Sequence, residues 1–225
     1  PYNVLTGFDG GKDRENYFAK RTDHPGMGAI CQYLHIGADD VPRYVIMPAY
    51  PGYSQSLRRA GPYGGYLGSQ YDPLFTVCDP QFERKSKDIE ARVGGVGPPV
   101  LPSVGALPGI TAVRLDRRRT LLQQVDDSVA AIDNTRKTRT MNHFQEKVFE
   151  LLTSPKTRGA FDLSRESDET RDRYGRNLWG SSMLIARRLV EAGSTFINVH
   201  WEAGGANHWD LHNNNFNMCR SHLPQ

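Results

Sequence analysis

The stretch from Leu178 to Trp201 constrains the fold more than any other. Leu178 to Ala192 has helical spacing, with Met183, Ala186, Leu189 and Val190 assigned inward and Arg187, Arg188 and Glu191 outward. Gly193 stands where a helix wants a left-handed C-terminal cap. Thr195 to Trp201 follows at once as a nearly continuous apolar run. A helix, one glycine and a strand apolar on both faces form the second half of a βαβ unit in a parallel sheet. The fold class is therefore α/β.

What leaves that strand is chemically distinctive. Ligands of open parallel sheets collect beyond the carboxyl ends of strands. There the sequence places Glu202, His208, Asp210 and His212, just after His200. Asp210 and His212 offer a carboxylate oxygen and an imidazole nitrogen two residues apart, a mixture that suits Zn²⁺, Mn²⁺ or Fe. A catalytic zinc needs three protein ligands and an open position, so a pair is half a site. His200, Glu202 or His208 would add a ligand, or other segments would. Each also has a plainer role: a hydrogen-bonded core histidine at 200, a polar strand end at 202, a surface loop at 208. Asp210 has one too, as the N-cap of a helix carrying Phe216 and Met218.

The preceding chain supplies further elements. Ile30, Tyr33 and Leu34 mark a short helix entered through Asp23 and Pro25. Arg43 to Pro48 reads as a strand. From Ala49 to Tyr71 the chain is rich in glycine and tyrosine, either a substrate-facing loop or, the favoured reading, a packed loop whose tyrosines cover core. Residues 83 to 109 form the longest irregular connection. Leu115, Leu122 and Val129 give a helix over 114 to 136, and Met141, Phe144, Val148 and Leu151 a second over 141 to 152. Arginines at 114 and 117 to 119 sit at the first turn, against the helix dipole; they form a solvated basic face, the reading that spacing favours, or an anion clamp or interdomain salt-bridge cluster. Residues 156 to 176 alternate in charge, as solvated helix faces do, and Gly175 stops that run.

Composition narrows the partners. With 28 basic and 25 acidic residues the net charge is +3, too balanced to point to nucleic acid. No apolar run reaches the roughly 18 residues of a membrane span. Cys31, Cys78 and Cys219 form no C-x-x-C, so neither a zinc ribbon nor a thioredoxin motif is present.

Several motifs in this order resemble a known family. They are Leu5-Thr6-Gly7, Arg21-Thr22-Asp23-His24-Pro25, Gly65-Tyr66-Leu67-Gly68, Arg114 to Leu122, Leu151 to Ser164, Arg171 to Arg176, Ala186 to Gly193 and Trp209-Asp210-Leu211-His212. The chain resembles bacterial domain-of-unknown-function family 1501, abundant in planctomycetes and placed in the alkaline phosphatase/sulfatase-like superfamily. The resemblance covers nearly the whole chain. It implies an alkaline-phosphatase-like sandwich, a mostly parallel sheet flanked by helices with metals at strand ends. Its Trp-Asp-Thr-His motif falls on Trp209 to His212, with Leu211 in place of threonine. It makes Asp210 and His212 the metal ligands, for a divalent ion of the Zn, Mn or Ca class. It also implies an exported or periplasmic parent protein.

The family's export signal, its Gly-Gly-Pro-Ser-His-like strand end and its two later motifs do not occur in this chain. The expectation is a single incomplete domain over 1–225, an internal fragment. Residues 1–109 would be its loop- and strand-rich part, and 110–225 its helices and core strand. The remaining ligands and any nucleophile would lie outside it, and the chain alone would fold poorly. The expected function is part of a metal-dependent hydrolase of sulfate or phosphate esters, with an anionic ester as substrate. The alternative is a non-catalytic binding or scaffold protein that keeps the hydrolase fold. A third reading, an anion or nucleic-acid binder, would rest on the arginine cluster.

Overall fold

The computed structural model describes residues 2–10, 18–48, 50–51, 58–76, 154–200 and 216–217. The helices expected at 114–136 and 141–152 and the arginine cluster lie outside these residues. In chain order the elements are α1 (Tyr2–Thr6), α2 (Met27–Tyr33), β1 (Tyr44–Met47), two 3₁₀ turns (Gly65–Leu67 and Ser69–Tyr71) and β2 (Leu74–Phe75). There follow α3 (Pro155–Phe161), a 3₁₀ turn (Leu163–Arg165), α4 (Asp168–Tyr174), α5 (Leu178–Ala192) and β3 (Phe196–Val199).

The three strands form one sheet in the order β2-β1-β3, parallel throughout. Val45 pairs with Leu74 on one side and with Ile197 on the other. β1 is the central strand, with Tyr44, Val45, Ile46 and Met47 all buried. Its alternation divides the core. Val45 and Met47 pack with Ala160, Ile185 and Leu189 from α3 and α5, whereas Tyr44 and Ile46 pack with Ala29 of α2. Helices thus cover both faces of the sheet, the α/β arrangement that continuous apolar strands require. Strands from residues 44–75 and 196–199 share this core.

α5 has the predicted bounds. Asn177 caps its start, the side-chain oxygen accepting from Gly180 N at 2.8 Å. Gly193 ends it at φ 113°. Its inward face agrees with the prediction in part, with Leu189 buried and Ala186 packed against the core. The buried residues are Leu178, Ser182, Leu184, Ile185 and Leu189, while Met183 and Val190 are exposed. Trp179, Met183, Ala186 and Val190 make a second apolar stripe, offset from the first, and periodicity cannot choose between two stripes. Ser182 is tolerated inside because its hydroxyl donates to Leu178 O at 2.7 Å.

Arg188, assigned outward, is instead half-buried. Its guanidinium donates to Ala160 O at 3.1 Å and Gly159 O at 2.7 Å, and pairs with Glu166. Both carbonyls lie in the last turn of α3, and Gly159 O also accepts from Asp162 N at 3.2 Å. One planar donor thus ties α3 to α5 and neutralises a half-buried carboxylate.

The alternating charges of 156–176 behave as predicted. Asp162 pairs with Arg165, and Asp168 with Arg171 and Arg176, all at the surface. Ser167 caps α4, its hydroxyl accepting from Thr170 N at 3.1 Å, and Gly175 stops it.

α2 begins later than predicted. Its N-cap is Gly26. Asp23 instead folds back, a carboxylate oxygen accepting from Lys20 N at 2.7 Å. Tyr33 and Leu34 are exposed, and the buried face is Gly28, Ala29 and Gln32. At Gly28 that face carries no side chain, and the Tyr44 ring lies against it. A Cβ at Gly28 would fall inside van der Waals contact of that ring. Among the described residues, no helix is long and apolar enough to cross a membrane.

Candidate functional site

The carboxyl edge of the sheet brings three strand exits side by side. β1 runs into Pro48 through a cis Met47–Pro48 bond. After β2, Thr76 donates its N–H to Ile46 O at 3.2 Å and its hydroxyl to Pro48 O at 2.9 Å. After β3, His200 donates its N–H to Met47 O at 3.0 Å. These bonds extend the ladders one residue past the strands and fix where each chain departs.

The loop before β2 folds over this edge. Tyr63 packs against Phe75 with ring centroids 5.7 Å apart, and Tyr50 meets the same ring at 6.0 Å. Arg58 lies over both tyrosines, 5.8 and 6.0 Å from their centroids. Gly64 N donates to the Asp72 carboxylate at 2.7 Å, which holds the loop closed. Burial pushes the Tyr63 hydroxyl up to about 12, with Arg58 opposing the shift. Burial drives the Tyr44 hydroxyl higher still, helped by the Asp72 charge. Both hydroxyls are buried without a hydrogen-bond partner among the described residues. Among the described residues of this loop, Tyr63 is buried and Tyr50 and Tyr71 are half-buried, as the sequence favoured, whereas Tyr66 is 61% exposed.

Of the residues proposed as ligands, His200 is placed, at the carboxyl end of β3 beside β1. Glu202, His208, Asp210 and His212 lie outside the described residues. Phe216 and Asn217 are helical, and Phe216 is exposed. Among the described residues, no group of three or more His, Cys, Asp or Glu side chains is placed to hold a metal ion. Those described residues therefore do not make a metal centre by themselves. Cys31 is a half-buried free thiol, while Cys78 and Cys219 fall outside the described residues.

The match to known proteins spans residues 4–225, against the family model described as protein of unknown function (DUF1501). The chain belongs to the DUF1501 family. No curated protein and no solved structure matches it. Membership in DUF1501 agrees with the motifs read from the sequence and names no activity.

Two residues that fix this region escaped the sequence reading. Thr76 is one hydroxyl in an unremarkable stretch, and its neighbour Pro48 lies 28 positions away. Asp72, just before β2, closes the loop through Gly64. Proximity across a parallel sheet leaves no local trace in sequence.

Proposed function

We propose that this DUF1501 chain carries part of a metal-dependent hydrolase of sulfate or phosphate esters, built on an alkaline-phosphatase-like sandwich and acting in an exported or periplasmic setting. One observation carries the reading. β3 runs parallel to β1 and ends at His200 on the carboxyl edge, so the segment bearing Asp210 and His212 starts from the edge where such folds bind ligands.

Asp210 and His212 would hold the metal by a carboxylate oxygen and an imidazole nitrogen, with further ligands from other segments. A bound divalent ion supplies stabilisation of oxygen charge during displacement at sulfur or phosphorus. The described residues contribute position. The Thr76 and His200 hydrogen bonds hold the strand exits in register, and the Tyr50–Tyr63–Arg58 layer closes one flank of the edge.

The test is metal content together with turnover of p-nitrophenyl sulfate and p-nitrophenyl phosphate. Asp210→Ala and His212→Ala are each expected to lower bound metal, and chelation is expected to abolish turnover. Unchanged metal content in both variants would remove the proposed ligand roles. A wild-type protein that folds, binds no metal and turns over neither ester would instead be a non-catalytic member of the fold.

A further inference from the structure

Arg58 takes no part in the metal binding proposed above, yet its guanidinium is mounted on the carboxyl edge of the sheet. It lies 5.8 Å from the centroid of the Tyr50 ring and 6.0 Å from that of Tyr63. Both rings rest on Phe75, the last residue of β2, with centroids 6.0 and 5.7 Å away. Tyr50 follows β1, two residues past Pro48, and Pro48 O accepts from the Thr76 hydroxyl just after Phe75. One ring thus belongs to the exit of β1, and both sit on the exit of β2.

The backbone behind the guanidinium is tied on two sides. Arg58 O accepts from Ala19 N at 3.0 Å, Arg59 N donates to Pro51 O at 3.2 Å, and Arg59 bridges Phe18. The Arg58 side chain is nevertheless exposed. Among the described residues it forms no ion pair. Asp72, whose charge also acts on the Tyr63 hydroxyl, accepts from Gly64 N at 2.7 Å. Ring faces hold a cation in place without using its N–H donors. A guanidinium has five such donors in a planar fork, which matches two oxygens of an oxyanion.

Alternation along the strands relates this cation to the exit of β3. Tyr44, Phe75 and Phe196 pack on the α2 face of the sheet. Phe196 pairs with Tyr44 and Asn198 with Ile46, so Asn198 and then His200 continue that face. The ladder reaches His200 through Met47 O. β1 lies between β2 and β3, so the exits of β2 and β3 flank its own. Neighbouring strands are about 4.8 Å apart, which sets those two exits about 10 Å from each other. The segment bearing Asp210 and His212 departs from one flank, and Arg58 is mounted on the other.

We propose that Arg58 is an anion-binding residue of this edge, its guanidinium fork donating to the sulfate or phosphate oxygens of the ester. Charge-assisted bonds of this kind are strong and geometrically selective. The two tyrosines hold the side chain before an anion arrives, so little rotamer freedom is lost on binding. An arginine on a bare surface would give up that freedom with each encounter. The inference deepens the ester-hydrolase reading by naming a residue that recognises the acid part of the ester. It rests on that reading for the anion's role as substrate, whereas anion binding itself rests on Arg58 and its mount.

Calorimetric titration of the full chain with inorganic sulfate and with inorganic phosphate tests this, in chelator so that metal plays no part. Wild type should bind at least one of the two anions, and the tighter one identifies the preferred ester. Arg58→Ala is expected to weaken that binding roughly ten- to a hundredfold, the scale of charge-assisted hydrogen bonds. Arg58→Lys keeps the charge without the fork and should recover only part of the loss. Tyr50→Leu keeps Arg58 but removes one ring of its mount, and should weaken binding roughly two- to fivefold. Arg187→Ala, an arginine paired with Glu191 on α5, should bind as wild type. Circular dichroism melts verify that each variant is folded. Absence of sulfate and phosphate binding by wild type overturns the proposal. So does unchanged affinity in folded Arg58→Ala, or an equal loss in Arg187→Ala, the mark of a general charge effect. Loss of the Asp210 and His212 metal roles would leave this binding result standing, so the two readings fail separately.

Discussion

Single residues hold this fold where side-chain volume or charge has no slack. Gly28 lies under the Tyr44 ring, and a methyl there displaces either the ring or α2. Gly28→Ala is expected to lose about 1–3 kcal/mol to overpacking, read as a lower midpoint in urea. Tyr44 itself buries a hydroxyl with no partner among the described residues. Tyr44→Phe removes that uncompensated group and should leave stability unchanged or raised. Tyr63 adds a pH dependence. Its hydroxyl is held protonated up to about 12 in the folded chain, while an unfolded tyrosine ionises near 10. The folded state therefore binds more protons between those values, and its stability falls as pH rises from 10 toward 12. Below pH 10 the contribution is fully present. Melting temperatures across pH 8 to 11.5 should decline above 10, and Tyr63→Phe should flatten part of that decline.

At the scale of elements, the decisive joints are α5 with its neighbours. Arg188 reaches across from α5 to the last carbonyls of α3 and to Glu166. Arg188→Ala leaves the half-buried Glu166 carboxylate unpaired and removes one donor from each of two carbonyls, at an expected cost of about 3 kcal/mol. Lysine keeps the charge but not the fork, so Arg188→Lys should recover only part of the loss in a chemical denaturation series. At the other end, Gly193 turns α5 into β3 with a backbone that side chains rarely adopt, and a Cβ there would press on Ala38. Gly193→Ala should cost about 1–2 kcal/mol, seen as earlier thermal unfolding. The bounds of α5 were legible because its caps are local chemistry, Asn177 before and Gly193 after. Its buried face was not, because both of its stripes are apolar and the choice between Ile185 and Met183 belongs to the sheet.

For the molecule as a whole, the sheet gathers distant segments and leaves them unequal. β1 is buried along its length, whereas Phe196–Val199 is half-buried at every position. Native-state hydrogen exchange should therefore find the slowest amides in β1 and faster exchange in β3, and the reverse order would contradict the core assignment. The sequence by itself determined the α/β class, the helix–glycine–strand unit at 178–199, the surface charge pairs of 156–176 and the family, because each rests on spacing or composition along a short stretch. It also offered Asp210 and His212 by residue type, and their role stays a proposal. Only the tertiary structure decided that β1 is central, that Arg188 turns inward, and that Thr76, Pro48 and His200 share an edge. It alone set Phe8 against the face of the His24 ring and Tyr66 edge-on to the same ring. Those relations join residues tens to more than a hundred positions apart, and they follow from which faces must be buried against each other.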